Sequence, residues 1–375
     1  MRECDTLLVM SSVYDIAALE GFFRSRRVDA QQARRFRNAL YKRFAEVEEV
    51  LAELPEGVRA EFADEFQFHA LTLEHRRDSQ QDGATKLIFR TASGHLIESV
   101  VLRFITGRTS LCISSQVGCA ANCSFCATGK MGIARNLSVA EILDQVVQGG
   151  RLIREEHRRL RNVVLMGMGE PLHNETAVYG ALDMLHDPRW LNHSPGRTLV
   201  STVGIPEAMI RAARQFPQVN FALSLHSCRQ EIRRKIIPLA EKYPLHKLRD
   251  AIRTMNDLQG RPVMIEYLML GELTDTNDDL GLLVEFVRGL DVHLNLIPYN
   301  PIDDAPDLIA TESPRIKEFS ASLKSHGLTV TTRNSLGGDI AAACGQLVRQ
   351  ENRQLGARSQ QSSDTLANLM AQKLH

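Results

Sequence analysis

The chain has 375 residues, 43% of them hydrophobic, and its 45 basic and 45 acidic residues give no net charge. This length allows a substantial core in one to three domains, and neutrality gives no bulk electrostatic sign of a nucleic-acid partner. No apolar run of about 18 residues occurs, so no transmembrane helix is expected, and the first residues lack a secretory-signal pattern. Seven cysteines, an odd number, favour a reducing compartment. We therefore expect a cytoplasmic protein.

The first segment is predicted to be helical from residue 12 to residue 82, because apolar residues such as Phe36, Leu40 and Phe44 recur at helical spacing. Residues 24–43 are rich in arginine, and every charged residue in 46–65 except Arg59 is acidic. The basic run either follows a phosphate backbone or pairs with the acidic run within the protein. We assign residues 1–83 to a helical accessory domain that ends in a polar linker, Arg76–Gly83.

A β-hairpin is predicted next, within residues 84–108. Its strands are Lys86–Thr91 and Leu96–Phe104, and the turn between them contains Gly94.

From residue 109 to residue 349, short apolar runs alternate with segments of helical length. One of these segments begins with a capping box, Ser138 to Glu141. This alternation predicts an α/β fold with a parallel sheet covered by helices, and about six units indicate a partial (β/α)6 barrel like that of TIM-type folds. The predicted strands are Leu111–Ser115, Asn162–Met166, Thr198–Thr202, Asn220–Leu225, Val263–Leu270, His293–Pro298 and Leu328–Thr332.

The most informative motif follows the first of these strands. Cys119, Cys123 and Cys126 form the spacing Cys-x3-Cys-x2-Cys without a fourth cysteine. Three thiolates suit an iron–sulfur cluster with one iron left open to an outside ligand. A closed zinc site needs four ligands, so a zinc knuckle would have to take one from a distant residue, and a disulfide framework fits less well.

Other polar and glycine-containing segments also follow predicted strands. Because active sites of barrel folds lie at the C-terminal ends of strands, these segments are expected to meet at one rim. They are Gly167–Pro171, Ser201–Gly204, Ser224–Ser227 and Pro298–Pro301.

The cysteine loop, with Phe125 before its last cysteine, resembles the cluster motif of the radical S-adenosylmethionine (SAM) superfamily. The wider pattern resembles the RlmN/Cfr family of RNA adenine methyltransferases over residues 87–347. Four segments show this resemblance: Ser114–Cys119, Met166–Leu172, Ser224–His226 and Ala343–Leu347.

This resemblance implies a [4Fe–4S] cluster on Cys119, Cys123 and Cys126, with S-adenosylmethionine chelating the open iron. Reductive cleavage of that cofactor yields a 5′-deoxyadenosyl radical, and an electron donor such as flavodoxin is implied. Gly169 and Glu170 match the contact with the cofactor's amino group. The family's remaining cofactor contacts match Ser201, Ser224, Leu225, His226 and Asn300.

The resemblance also assigns three catalytic roles. Cys344 is methylated first, its methyl group then becomes a radical that adds to adenine, and Cys112 forms a disulfide with Cys344 to release the RNA. Glu98 matches the proton acceptor. From the residues alone, Cys112 is better explained as a buried strand cysteine and Glu98 as a solvent-facing strand residue. The small residues around Cys344 predict a mobile loop with an exposed thiol.

The implied substrate is an adenine carbon in 23S ribosomal RNA, with transfer RNA as a second candidate. Pro171 matches the enzymes that act on carbon 2, although other segments are as close to the carbon-8 enzymes, so carbon 2 is favoured. The resemblance gives the basic N-terminal segment a role in RNA contact, and we expect a monomer that ends in a polar tail, residues 350–375. Two alternatives stay open: a radical-SAM enzyme acting on a peptide or small molecule, and a non-catalytic RNA-binding protein with structural zinc.

Overall fold

The computed structural model describes residues 10–333 and 335–347. The predicted polar tail and Cys4 lie outside the described residues. None of the helices within the described ranges combines the length and apolar character that crossing a bilayer requires.

The N-terminal segment forms four helices around a cluster of aromatic rings. Asp15 and Asp29 cap the first two helices through their side chains. The rings of five phenylalanines pack with centroid separations between 4.6 and 6.4 Å, so the core of this segment is aromatic. These rings are Phe22, Phe23, Phe36, Phe62 and Phe66. The helices are α1 (Ile16–Ser25), α2 (Ala30–Arg37, continued by a π-helical turn Asn38–Lys42), α3 (Val47–Ala52) and α4 (Glu56–Glu65).

The prediction of helix up to residue 82 is wrong beyond Glu65. Two short strands, β1 (Ser11–Ser12) and β2 (Phe66–Gln67), pair in parallel. Strand β3 (Leu71–Asp78) then includes the first three residues of the predicted linker and pairs with the hairpin. Its side chains are largely exposed and charged, as is common for an edge strand, so the strand has no buried face that sequence periodicity could reveal.

The predicted hairpin is confirmed as β4 (Ala84–Thr91) and β5 (Leu96–Arg103), with Gly94 at a φ of 82° in the turn. Strand β5 pairs with β6 (Thr109–Ile113) and so joins the hairpin to the main sheet. Two further short strands, β7 (Gln116–Gly118) and β8 (Ile133–Asn136), pair with each other on either side of the cysteine loop. The sequence did not predict this small sheet.

The main sheet has ten strands, and seven of them are parallel neighbours. β6 is followed by β9 (Asn162–Leu165), β10 (Thr198–Thr202), β11 (Asn220–Ser224), β12 (Val263–Met269), β13 (Val292–Pro298) and β14 (Thr329–Thr332). The helices that connect them are α6 (Val139–Glu155), α7 (Glu175–His186), α8 (Pro206–Gln215), α9 (Gln230–Ile236), α10 (Leu245–Gln259), α11 (Asn277–Val287) and α12 (Ser313–Ser325); α5 (Ala127–Lys130) follows the cysteine loop. The predicted α/β partial barrel is confirmed: it consists of six strand–helix units followed by a seventh strand at the edge of the sheet. The Ser138–Glu141 capping box is also present.

Many arginines of the basic N-terminal run pair with acidic residues of the same segment. Arg26 contacts Glu61 at 2.5 Å, and Arg43 contacts Glu53 at 2.7 Å. Arg37 pairs with Glu20 at 2.8 Å. These pairs favour the internal, self-complementary reading of the charge pattern over contact with a phosphate backbone.

Candidate functional site

The cysteine loop is held between β7 and β8. Gly118, which precedes Cys119, has a φ of 79°, and a side chain there would collide with the carbonyl of Gly132. The amide of Cys119 donates to that same carbonyl at 2.8 Å. A residue without a side chain therefore lets the chain enter the loop at this point.

The three thiols of this loop are removed from water. Cys119 and Cys123 are buried and Cys126 is half-buried. Burial raises the pKa of the Cys119 thiol to about 12 and also raises the pKa of the other two. Thiolates in such surroundings need a cationic partner in place of water, which an iron–sulfur cluster supplies.

The arrangement suits a cluster better than a single ion. Within residues 10–333 and 335–347, no three His, Cys, Asp or Glu side chains are grouped to hold one metal ion. In a cluster each cysteine binds a different iron, so the three cysteine sulfur atoms do not have to converge on one point. The Arg233 guanidinium is fully buried and interacts electrostatically with Cys123. It adds positive charge near a site that would carry several thiolates.

A cavity beside the cysteine loop brings together most of the predicted cofactor residues. Its walls include the three cluster cysteines, Gly169, Glu170, Ser201, Ser224 and His226. Leu225 and Asn300 are absent from this described lining. Leu225 is fully buried and accepts a hydrogen bond from Arg233 through its carbonyl, and Asn300 donates to the carbonyl of Cys344 at 3.1 Å.

Gly169 and Glu170 are shaped by close packing on β7. Gly169 has a φ of 104°, and an added Cβ would lie 2.6 Å from the Cβ of Gln116. The Gln116 side-chain oxygen accepts from the Glu170 amide at 2.8 Å. The Glu170 carboxylate accepts from the amides of Val203 and Leu172, at 2.8 and 3.0 Å. Burial nevertheless raises its pKa to about 7.

Ser201 and Ser224 both donate to Glu266, at 2.8 and 3.2 Å. The other carboxylate oxygen of Glu266 is buried, without a hydrogen bond among the described residues, and lies 3.6 Å from Arg333. Such an acceptor suits a ligand hydroxyl group. The residues present therefore fit a cofactor with an amino group at one end and hydroxyl groups at the other.

His226 lies in the same wall as a neutral ring. Its Nδ1 accepts from the amide of Leu268 at 3.1 Å, and Phe125 packs edge-on at 4.9 Å between centroids. Burial and the nearby Arg233 lower its pKa to about 3. His226 is therefore a neutral wall residue and not a proton donor at neutral pH.

A second, larger cavity of about 1040 Å³ runs through the barrel. Cys112 and Cys344 both line it, and Cys344 also lines the cofactor cavity. Both thiols are free, and Cys344 adds to the rise in the pKa of Cys112 electrostatically. The Cys344 thiol therefore stands where the two cavities meet.

The thiol of Cys344 is half-buried, so the expectation of an exposed thiol is wrong. Its loop is held on several sides. The amide of Ala127, next to the last cluster cysteine, donates to the Gly345 carbonyl at 2.7 Å. The amide of Gly337 donates to Asp82 at 2.8 Å. These bonds join the loop both to the cluster segment and to the β3–β4 turn.

Arg333 was not singled out by the sequence. Its guanidinium counters the effect of burial on Cys344, so that the pKa of this thiol is raised less than burial alone would raise it. The Cys112 thiol is more deeply placed, and burial raises its pKa to about 12.

Glu98 is fully buried on β5, so it is not a solvent-facing strand residue, and it is absent from the described lining of either cavity. Register places it near Cys112: Val100 pairs with Cys112 across β5 and β6, and Glu98 shares the face of Val100 because side chains alternate along a strand. Lys86 of β4 lies 3.5 Å from its carboxylate. The sequence offered no signal for Lys86, since the hairpin register decides which residue meets Glu98.

Comparisons with known proteins show the family to which the chain belongs. The model of the Radical SAM superfamily matches residues 113–287, which defines the class of enzyme. A probable RNA methyltransferase of Rhodopirellula baltica is 54% identical over 336 residues, which cover 90% of this chain and 87% of the relative. A probable dual-specificity RNA methyltransferase RlmN of Thermus thermophilus is 39% identical over 316 residues, or 84% of this chain and 88% of the relative.

A solved structure shows the same similarity in three dimensions. The crystal structure of a radical SAM methyltransferase from Sphaerobacter thermophilus has a TM-score of 0.85 and 37% identity, covering 90% of this chain and 99% of that one. The chain belongs to the RlmN/Cfr family of radical-SAM RNA methyltransferases.

Proposed function

We propose that this enzyme methylates a carbon of adenine in 23S ribosomal RNA, with carbon 2 favoured over carbon 8 and transfer RNA as a second candidate substrate. The observation that carries the proposal is the thiol of Cys344 at the junction of the cofactor cavity and the larger cavity. A carbon unit passed from cofactor to base needs a carrier that reaches both, and this residue has that position.

Cys119, Cys123 and Cys126 would hold a [4Fe–4S] cluster, and Glu170 with Ser201, Ser224 and His226 would surround S-adenosylmethionine. When bound, these groups supply a methyl group and, after one-electron reduction by a donor such as flavodoxin, hydrogen-atom abstraction. Glu170 receives the cofactor's amino group, because its carboxylate faces the cavity from a buried position. The Glu266 oxygen that lacks a hydrogen bond receives a hydroxyl group.

Cys344 accepts the methyl group on sulfur and holds it towards the base. Cys112 lines the same cavity and is the thiol placed to attack the Cys344 sulfur. The bond between that sulfur and the transferred carbon breaks, the carbon takes the electron pair and a proton to become the product's methyl group, and the two sulfurs form a disulfide that a thiol reductant later reduces. Arg333, beside both thiols, favours the thiolate at Cys344. Glu98 accepts the proton that leaves the substituted carbon.

A row of arginines supports an RNA substrate. Arg108, Arg161 and Arg197 each directly precede one of three neighbouring parallel strands, β6, β9 and β10. All three are exposed and line a cavity of about 430 Å³, and among the described residues none forms an ion pair. Arg108 and Arg197 also line the larger cavity, which reaches Cys112 and Cys344. Guanidinium groups in a row at the entrance suit the phosphates that flank an inserted base.

Cysteine variants test the proposal. Wild-type protein purified without air should carry S-methylcysteine at position 344 by peptide mass spectrometry and should methylate 23S ribosomal RNA. Cys112→Ala should accumulate RNA bound covalently through Cys344, because the step that releases it is removed. Cys344→Ala should show neither methylation nor attachment. Cys228→Ala, a cysteine outside both cavity linings, is the control and should behave as wild type.

Three outcomes would contradict the proposal. Methylation of RNA by Cys344→Ala would exclude the carrier role. A colourless, zinc-loaded protein would indicate the non-catalytic alternative, and cofactor cleavage without S-methylcysteine would indicate a peptide or small-molecule substrate. Mass spectrometry of the methyladenine isomer decides between carbon 2 and carbon 8.

A further inference from the structure

A buried ion pair joins the β-hairpin to the loop that carries Cys344. The Lys86 ammonium lies 3.5 Å from the Glu98 carboxylate, with side-chain exposures of 3% and 0%. The same ammonium donates to the carbonyl of Ala341 at 2.8 Å. One buried cation therefore contacts both the predicted proton acceptor and the backbone three residues before the predicted methyl carrier.

The strand register directs this pair towards the reaction. Lys86 pairs with Val100, and Val100 pairs with Cys112, so Lys86, Glu98 and Cys112 project from one face of three adjacent strands. The pair lies next to the thiol that would resolve the RNA adduct.

Removing a partner from a buried pair leaves a charge that the interior does not tolerate, so the remaining group becomes neutral. A neutral Glu98 carries its own proton and cannot take another one. We infer that Lys86 is a positioning residue that keeps Glu98, the proposed proton acceptor, ionised. This inference rests on the proposed function.

The hydrogen bond to Ala341 is one of several that hold the loop. Gly337 donates to Asp82, Asn300 donates to the Cys344 carbonyl, and Ala127 donates to the Gly345 carbonyl. Loss of Lys86 should therefore leave the loop in place and Cys344 able to accept its methyl group. The step that we expect to slow down is the later transfer of the methyl carbon from Cys344 to RNA.

The test separates these two steps. In Lys86→Met, S-methylcysteine at position 344 and the iron content should stay within about twofold of wild type, whereas the single-turnover rate of RNA methylation should fall about a hundredfold, the scale of a missing general base. Lys86→Arg keeps the charge and should recover most of the rate. Arg90→Met, on the same strand but exposed and paired with Glu74, is the control and should not change either quantity.

A double variant shows whether Lys86 acts through Glu98. Lys86→Met added to Glu98→Gln should change the rate less than about threefold, because the partner through which Lys86 acts is already gone. This comparison removes both charges, so it stands even if Lys86→Met alone folds poorly.

An unchanged RNA methylation rate in Lys86→Met would overturn the inference while leaving the proposed function intact. A full loss of the remaining rate when Lys86→Met is added to Glu98→Gln would do the same. Loss of S-methylcysteine in Lys86→Met would assign Lys86 to the loop and likewise overturn it. Absence of both S-methylcysteine and RNA methylation in wild-type protein would instead overturn the proposed function, and this inference with it.

Discussion

Several charged side chains around the two cavities are buried, and each has a defined counterpart. Glu266 faces Arg333 at 3.6 Å, and Glu98 faces Lys86 at 3.5 Å. Arg233 donates to the carbonyls of Leu225 and Val203, at 3.1 and 2.5 Å. Buried charges contribute little net stability compared with apolar residues of the same size. Their presence here is better explained by the chemistry that we propose for the site.

Glu170 should make cofactor binding depend on pH. Burial raises its pKa to about 7, so the carboxyl group is ionised above this pH and protonated below it. The cofactor's amino group needs the ionised form. Affinity for S-adenosylmethionine should therefore be highest above pH 7 and fall by up to about tenfold per pH unit below it, as measured by equilibrium dialysis on the reconstituted protein.

Glu170→Gln is the closest neutral control, although its single side-chain oxygen can accept from only one of the two backbone amides, because Leu172 and Val203 donate to different oxygens of Glu170. Its affinity should be lower at pH 8, by about tenfold or more, and should lose the step near pH 7. A step that persists unchanged in this variant would belong to the cofactor's own amino group and would exclude Glu170 as its cause.

The sequence predicted those site residues that lie within short motifs of defined spacing. The three cysteines and Gly169–Glu170 lie within short motifs, and the structure brings them to one cavity. It did not find Arg333 or Lys86, and it placed Glu266 on a strand without a role. The contact of Lys86 depends on the register of the hairpin, and the contacts of Glu266 and Arg333 depend on strands that are distant in sequence; no local pattern reports either.

At the scale of elements, the Cys344 loop owes its position to the turn between β3 and β4. Asp339 accepts from the Ser79 hydroxyl at 2.8 Å and from the Gln80 amide at 2.9 Å. This turn follows the edge strand that the sequence predicted as helix and linker. The loop therefore depends on a turn that follows β3, a strand that could not be predicted because its side chains are mostly charged and exposed.

Asp339→Ala should loosen the loop without unfolding the barrel. Each hydrogen bond removed is worth about 0.5–1.5 kcal/mol, so local opening should become about tenfold more frequent. Hydrogen exchange followed by mass spectrometry should show faster exchange in residues 335–347 and unchanged exchange in β12 and β13. Asp307→Ala, an exposed aspartate with no side-chain bond among the described residues, should leave the loop unchanged. Equal exchange in both variants would show that the β3–β4 turn does not hold the loop.

At the scale of the whole molecule, neutrality conceals two different distributions of charge. The N-terminal helices carry many arginines, but Arg26, Arg37 and Arg43 are paired with glutamates. The arginines at the entrance of the larger cavity are fewer and have no ion pair among the described residues. The N-terminal arginines are visible as a charge run in the sequence. The arginines at the entrance are at least 36 positions apart in the sequence and come together only because they precede neighbouring strands of the sheet.

Substitutions in these two groups should therefore have different effects on RNA binding. Arg108→Ala with Arg197→Ala removes two unpaired cations from the entrance. It should weaken RNA binding and make the slope of log affinity against log salt shallower, by about 0.7 for each phosphate of a single-stranded RNA that is no longer neutralised. Arg26→Ala with Arg43→Ala removes cations whose charge is already balanced, so it should change neither quantity appreciably. Binding to a 23S ribosomal RNA fragment measured from about 50 to 300 mM salt distinguishes the cases. If the N-terminal pair of substitutions changes the slope and the entrance pair does not, the helical segment is the RNA contact, and the base reaches Cys344 by another route.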